Sequence, residues 1–166
     1  MKFEQMSKKR KAYTVVLFAL VIATLGFIWG HSLVPETDSA AESGRIYSLL
    51  EPVFKAIFGE GAITEALLRK FAHITEFFVL GLEFSLILLS FKRYSIKTFF
   101  VSVALGLSVG FIDETLQAIV GRGALITDVW IDGGGFLGSS LIFLATYYII
   151  YAIKNRKNKK DGKSDE

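Results

Sequence analysis

The chain has 166 residues, 52% of them hydrophobic, a formal net charge of +3 and a mean hydropathy of +0.46. This much apolar surface exceeds what a water-soluble fold of this size carries, so the composition favours one domain in a lipid bilayer. The absence of cysteine excludes disulfides, thiolate nucleophiles and cysteine-ligated metals. Basic residues stand beside apolar runs and not on a helix with interleaved aromatics, so we expect no nucleic-acid partner.

Four apolar runs are candidate transmembrane helices. The first, 12–30, holds nineteen residues without a charge, which is about 28 Å of helix against a hydrocarbon core of about 30 Å. A signal peptide is the rival interpretation, but the run is longer than an h-region and no A-x-A site follows it, so we expect a retained helix. The other three predicted spans are 71–91, 98–112 and 131–153.

The distribution of charge predicts how the chain crosses the membrane. Fourteen of the nineteen Lys and Arg residues lie before the first span, between the second and third, or after the fourth. The positive-inside rule therefore places both termini and the middle loop in the cytoplasm, and 31–68 and 114–130 outside. We expect a basic cytoplasmic N-terminus at 1–11, a membrane domain at 12–153 and a charged, disordered cytoplasmic tail at 154–166.

The first outer segment carries its own helical pattern. Apolar residues recur at helical spacing over 46–57 and predict a short amphipathic helix at the outer membrane interface, where Pro52 argues for a kink or a break. Residues 59–61 end the segment, and Thr64 is expected to cap the next helix. The predicted fold class is all-α, an integral membrane bundle of four transmembrane helices with a short interfacial helix in the first outer loop.

Three spans carry polar residues on one face at their outer ends. Such a face cannot look at lipid, and the small residues among them allow close helix packing. The second helix contributes Arg69, His73, Glu76, Leu80 and Glu83, with Lys70 beside them. The third contributes Ser102, Gly106, Gly110, Asp113 or Glu114, and Gln117. The fourth contributes Asp128, Asp132, Gly135 and Ser139, and Arg122 lies in the loop before it.

Each of these residues has an ordinary structural explanation. Charges near helix ends often pair or snorkel, a single His73 is more often a packing residue, and Glu83 can be a protonated carboxyl bonded to a neighbour. We expect His31 and Ser32 to cap the first span rather than reach a site. Convergence favours a functional site, because five acids face three basic residues. Two negative charges then remain, which require protonated carboxyls or a bound cation.

These residues resemble the VanZ-like family of bacterial membrane proteins. The resemblance covers roughly residues 30–144 and lies in Arg69-Lys70-x-x-His73-x-x-Glu76-Phe77, Asp113-Glu114-x-x-Gln117 with Gly121-Arg122, Asp128-x-x-x-Asp132 with Gly135 and Gly138, and Ser32. Phe77 stands where tyrosine is common in the family, and Gly123 follows Arg122 without the proline often found before it. The resemblance implies a location in the bacterial cytoplasmic membrane and an association with low-level teicoplanin resistance, a glycopeptide resistance. It supplies no reaction.

Three functions remain open at this point. The first is an envelope accessory protein, embedded in the lipid bilayer, whose pocket binds a lipid headgroup or a cell-wall precursor through Arg69, Lys70, Gln117 and Arg122. The second is a membrane-embedded enzyme for a lipid-linked substrate. It would use His73, Glu76, Asp113 and Glu114 as catalytic residues, and Asp128 and Asp132 would hold a divalent cation, the one cofactor considered. The third is a transporter or proton relay, which Glu83 suggests. The oligomeric state is open.

Overall fold

The computed structural model describes residue 3, residues 6–91 and residues 94–161, with side chains described as far as residue 158. Over these residues the chain forms five α-helices and no β-strand. They are α1 Lys8–Ser32, α2 Glu36–Phe58, α3 Glu65–Phe91, α4 Ile96–Ile119 and α5 Ile126–Asp161. All but α2 are long and apolar enough to cross a membrane. The protein is therefore a multi-pass helical membrane bundle, as predicted.

The helices are longer than the apolar runs that predicted them. α3 begins at Glu65, before residue 71, and the Leu67 N–H donates to the Thr64 hydroxyl at 3.2 Å, which confirms the predicted cap. α5 continues to Asp161, so the prediction of disorder is wrong for 154–161. Lys, Arg and Asn are compatible with a helix, so α5 stays helical beyond the end of its apolar run. Residues 162–166 of the predicted tail lie outside the described residues, as do Lys92 and Arg93 of the middle loop.

The non-spanning helix α2 has 23 residues and contains Pro52 without ending there. The helix is longer than the short one predicted over 46–57, and it continues through Pro52 without a break. Its apolar residues Leu49, Val53 and Ile57 are exposed, which agrees with the predicted contact with a membrane interface. The Tyr47 hydroxyl donates to the carbonyl of Ile63 at 3.0 Å and holds α2 against the chain that leads into α3.

The spanning helices pack around one apolar core. Its buried residues are Leu17, Val21, Ile28, Phe77, Leu80, Ile87, Val109 and Phe136. Glycines bring the backbones close: a Cβ on Gly135 of α5 would lie 2.4 Å from the Ile74 carbonyl oxygen of α3. A Cβ on Gly106 would lie 2.3 Å from the Phe136 ring. These glycines are packing residues, as the sequence predicted for Gly106.

The two ends of the bundle are chemically different. At one end, the Arg10 guanidinium at the start of α1 donates to the carbonyls of Ser90 and Leu89 at 2.7 and 3.2 Å, near the end of α3. These carbonyls belong to the last turn, where helices lack internal partners. At the other end, which we call the site end, the C-termini of α1 and α4 meet the N-termini of α3 and α5. The charged residues of the sequence patterns lie there, except Glu83, which is bonded to Thr24 of α1.

Candidate functional site

Two arginines meet one carboxylate at the site end. Glu36, in the first turn of α2, places Oε1 3.2 Å from Arg69 Nη1 and Oε2 3.5 Å from Arg122 Nε. Arg69 Nη2 also contacts Glu65 Oε1 at 3.3 Å, and Arg122 Nη1 donates to the His31 carbonyl at 3.0 Å. The Arg122 side chain is only 5% exposed. The Nε–H groups of both arginines are buried and have no hydrogen-bond partner.

This pairing differs from the one that the sequence suggested. The arginines pair with Glu36 and Glu65, which were not among the predicted site residues. Lys70 does meet a predicted partner, because its Nζ lies 3.7 Å from Asp128 Oδ1. The spacing of four between Glu65 and Arg69 was a readable signal for a helical ion pair. Glu36 gave no such signal, because only the fold brings α2 to both arginines.

Asp113 and Asp132 are the most deeply buried acids of the site, at 0% and 1% exposure. Asp113 accepts hydrogen bonds from the Ser32 hydroxyl and from Gln117 Nε2, the latter at 2.9 Å. Neither oxygen of Asp132 has a hydrogen-bond partner, and His73 Nδ1 lies 3.6 Å from Oδ1. Ser32 therefore reaches the site, and the preference for Ser32 as a helix cap is corrected: the C-cap of α1 is Leu33.

The structure groups three possible metal ligands. One ligand atom each of His73, Asp113 and Asp132 lies within 4.8 Å of the others. The predicted metal pair was Asp128 with Asp132, four positions apart on α5. Asp128 instead contacts Lys70 and the Thr127 hydroxyl. The cluster therefore contains Asp132 but combines it with residues of two other helices.

The remaining predicted site residues have definite neighbours. Glu114 accepts hydrogen bonds from the backbone N–H of Leu125 at 2.9 Å and from Gln117 Nε2 at 3.2 Å, and so holds the chain between α4 and α5. Glu76 lies one turn beyond His73 on α3 and lines a cavity together with Arg69 and Arg122. The catalytic roles assigned to His73, Glu76, Asp113 and Glu114 stay predictions.

Three spaces adjoin these residues. A charged cavity of about 230 Å³ is lined by Glu36, Arg69, Lys70, His73, Arg122 and Asp132, among others. A second cavity of about 150 Å³ shares Arg69, His73 and Arg122 with it. An open apolar groove of about 620 Å³ lies between α1 and α3 and shares Leu68, Ala72 and Glu76 with the second cavity. The second cavity therefore adjoins both the charged cavity and the groove, with shared residues in the walls between them.

Glu83 is not in the lining of these three spaces. The Thr24 hydroxyl of α1 donates to its Oε1 at 3.0 Å, which agrees with the expected bond to a neighbour. Phe77 and Leu80, both at 0% exposure, lie between His73 and Glu83 along α3. Thr24 and Glu76 both line the apolar groove, so the hydrogen bond to Thr24 connects Glu83 to that groove, and the transporter hypothesis stays a prediction.

Fold and site together define a class of protein, a four-span helical membrane protein with buried ionisable residues at one end of the bundle. The chain belongs to the VanZ/LLP1 family, which matches residues 12–150. This match confirms the resemblance that the motifs indicated. Comparison with curated proteins and with solved structures finds no match.

Proposed function

We propose that this protein is an accessory protein of the bacterial cell envelope that binds the phosphate-bearing headgroup of a membrane-anchored molecule, a lipid or a lipid-linked cell-wall precursor. The observation that carries the proposal is the pair Arg69 and Arg122, which line both cavities and each keep a buried Nε–H without a hydrogen-bond partner. A guanidinium presents its donors in a fork that matches phosphate oxygens. Lys70 lines the charged cavity and adds further N–H donors, whereas Gln117, which also lines it, already donates to Asp113 and Glu114.

The apolar groove offers a place for the hydrocarbon chain of such a ligand. Phe27 of α1 and Phe71 of α3 line the groove and are 57% and 50% exposed. In a bilayer, such a surface contacts acyl or isoprenoid chains. Because the groove and the second cavity share Leu68, Ala72 and Glu76 in their walls, a molecule with its chain in the groove would bring its phosphate toward the cavity that both arginines line. A free anion would not use the groove.

The positive-inside rule supports binding on the outer side. The segments that build the site end are those predicted to face away from the cytoplasm, while Arg10 and Lys97 lie at the opposite end. With both termini in the cytoplasm, the two cavities open toward the envelope. The proposed ligand is therefore a molecule of the outer leaflet of the cytoplasmic membrane.

Thermal stabilisation of the full chain in detergent tests the proposal. We use farnesyl phosphate as the probe, with farnesol and inorganic phosphate as its apolar and polar halves. A ligand at one hundred times its Kd stabilises a protein by about 2.7 kcal/mol, so farnesyl phosphate is expected to raise Tm clearly above either half. Arg69→Gln and Arg122→Gln should each remove that rise. Arg45→Gln, an exposed arginine on α2, should keep it.

Three results would contradict the proposal. Equal stabilisation by farnesol would show that the groove alone binds and that the arginines are not used. Equal stabilisation by inorganic phosphate would make the ligand a free anion. An unchanged response in both arginine variants would move the binding site elsewhere.

The second candidate is a membrane-embedded enzyme that acts on a lipid-linked envelope substrate. His73 and Asp132 line the charged cavity that holds the arginines, and this proximity favours the candidate. Glu76 or Asp113 would then act as general base and His73 as proton shuttle. Release of inorganic phosphate from farnesyl phosphate by the wild type, but not by His73→Gln, would establish the enzyme. Equal release by both proteins would exclude this role for His73.

A role in teicoplanin resistance is a separate proposal that follows from the family resemblance. If the protein contributes to it, a sensitive host that expresses the wild type should tolerate more teicoplanin than one that expresses Arg122→Gln. Equal susceptibility of the two strains and of an empty-vector control would show that the resistance phenotype does not extend to this protein.

A further inference from the structure

We infer that His73, Asp113 and Asp132 form a binding site for one divalent transition-metal cation, Zn²⁺ or Mn²⁺. The three residues come from α3, α4 and α5, and one ligand atom of each lies within 4.8 Å of the others. Ligands at about 2.0 to 2.2 Å from one ion are at most about 4.4 Å apart. Small side-chain rotations are therefore enough to bring all three onto one cation.

Asp132 points to a missing partner most directly. Its side chain is 1% exposed, and neither of its carboxylate oxygens has a hydrogen-bond donor. The nearest basic atom, His73 Nδ1, is 3.6 Å away and also lacks a hydrogen-bond partner. Buried polar groups in folded proteins are almost always hydrogen-bonded or bound to an ion. Two such groups aimed at one another from different helices fit an ion between them.

The charge of the cluster also calls for a cation. Among the described residues, the nearby basic side chains already have acidic partners outside it: Lys70 contacts Asp128, and both arginines contact Glu36. With His73 neutral and both carboxyls ionised, Asp113 and Asp132 contribute two negative charges at near-zero exposure. A divalent cation balances both charges, whereas a monovalent ion balances only one of them.

The donor set selects the kind of metal. The cluster offers one imidazole nitrogen and two carboxylates, and the chain has no cysteine. Imidazole suits Zn²⁺, whereas carboxylates suit harder ions including Mn²⁺ and bind Zn²⁺ as well, so mixed N and O donors match these two cations. A soft ion such as Cu⁺ would lack its preferred sulfur ligands.

The surroundings of Asp113 and Asp132 support the same assignment. Ser32 and Gln117 donate to the two oxygens of Asp113, which fixes the carboxylate as outer residues fix metal ligands elsewhere. On α4, Gly110 leaves room for Asp132, because a Cβ there would lie 3.3 Å from the Asp132 Cβ. His73 and Asp132 line the charged cavity. Three protein ligands leave coordination positions open, and a ligand in that cavity can reach them.

Metal binding by the full chain in detergent, without any lipid, tests this inference. After chelation and dialysis against Zn²⁺ or Mn²⁺, we expect one metal per wild-type chain and a higher Tm than the chelated protein has. Asp132→Asn, which keeps the side-chain shape, should lose both effects. Asp128→Asn, a change four positions earlier on α5 outside the cluster, should keep both.

Electron paramagnetic resonance of bound Mn²⁺ supplies a readout that protein folding alone does not change. The wild type should show nitrogen coupling from His73, and His73→Gln should lose it. If Asp132→Asn does not fold, the wild-type spectrum decides the question. Wild-type protein that binds no stoichiometric metal, bound Mn²⁺ without nitrogen coupling, or equal metal loss in Asp128→Asn and Asp132→Asn would each overturn the inference. Since no phosphate lipid is present, failure here is independent of the proposed function.

Discussion

Ser32 at the end of α1 donates a hydrogen bond to Asp113 of α4, and so joins residues 81 positions apart. The bond ties α1 to the helix that carries Asp113, and it supplies one of the two hydrogen bonds to this fully buried carboxylate. A buried carboxylate that loses a donor is costly, because water cannot replace the lost bond. The attachment of α1 therefore depends on the polar site as well as on apolar packing.

Replacement of Ser32 measures this dependence. We expect Ser32→Ala to destabilise the protein by about 1 to 3 kcal/mol, the cost of an unsatisfied buried polar group. The measurement is thermal unfolding in detergent. Ser48→Ala is the matched control, because this serine is exposed and bonds only within α2. An unchanged Tm for Ser32→Ala, or an equal fall for Ser48→Ala, would show that the interhelical bond contributes nothing.

Glu36 is expected to compete with the proposed ligand. Its carboxylate contacts both Arg69 and Arg122, yet its side chain is 50% exposed and can move away. Glu36→Gln removes the competing charge, so the Kd for farnesyl phosphate should fall about threefold to tenfold, or ~0.7 to 1.4 kcal/mol. Asp38→Asn changes an exposed acid in the same first turn of α2 and should leave the Kd unchanged. A weaker affinity in Glu36→Gln would mean that Glu36 assists binding.

Substitutions at two adjacent glycines of α5 distinguish the effect of helix packing on stability from the effect of helix propensity. A Cβ on Gly135 would lie 2.4 Å from the Ile74 carbonyl oxygen of α3, whereas a Cβ on Gly134 would meet no atom within 4 Å. Gly135→Ala should destabilise the protein by about 1 to 3 kcal/mol, the usual cost of overpacking. Gly134→Ala should be neutral or gain up to about 1 kcal/mol. Thermal unfolding of both variants checks this, and equal stabilities would contradict the close contact of α3 and α5.

The absence of cysteine makes the predicted orientation directly measurable. Ser48→Cys places a thiol on exposed α2, and Lys97→Cys places one at the start of α4, at the opposite end of the bundle. In intact bacterial cells, a membrane-impermeant maleimide should label Ser48→Cys and should label Lys97→Cys only after permeabilisation. The reverse pattern would turn the site end toward the cytoplasm and contradict an envelope-facing site.

Three of the four spans were predicted from apolar runs of 19 to 23 residues, close to the bilayer thickness, whereas the run 98–112 has only fifteen. The runs underestimated the helices: α4 reaches Ile119, past residue 112, and α3 begins at Glu65. A search for apolar residues stops at the first charges, but a helix continues through them when they face the interior of the bundle. The parts of α3, α4 and α5 that lie beyond the predicted apolar runs contain most of the charged and polar residues of the candidate site.

The sequence predicted many of the residues that meet at the candidate site, but it did not predict which of them contact one another. Helical spacing placed His73 on one face of α3 and Asp132 on one face of α5, and the structure brings both to one cluster with Asp113. Spacing within a helix cannot show which residues of different helices meet. For that reason the metal pair Asp128 and Asp132 was inferred from a single helix, and the contact of Glu36 with both arginines was missed.

Native mass spectrometry of the detergent-purified protein with farnesyl phosphate tests the central claim most directly. The proposed function predicts one bound farnesyl phosphate on the wild type and on Arg45→Gln, little bound farnesol, and a strong loss of the bound species on Arg69→Gln and Arg122→Gln. Equal occupancy in the wild type and in both of these variants, or equal binding of farnesol, would contradict a phosphate site built from the two arginines.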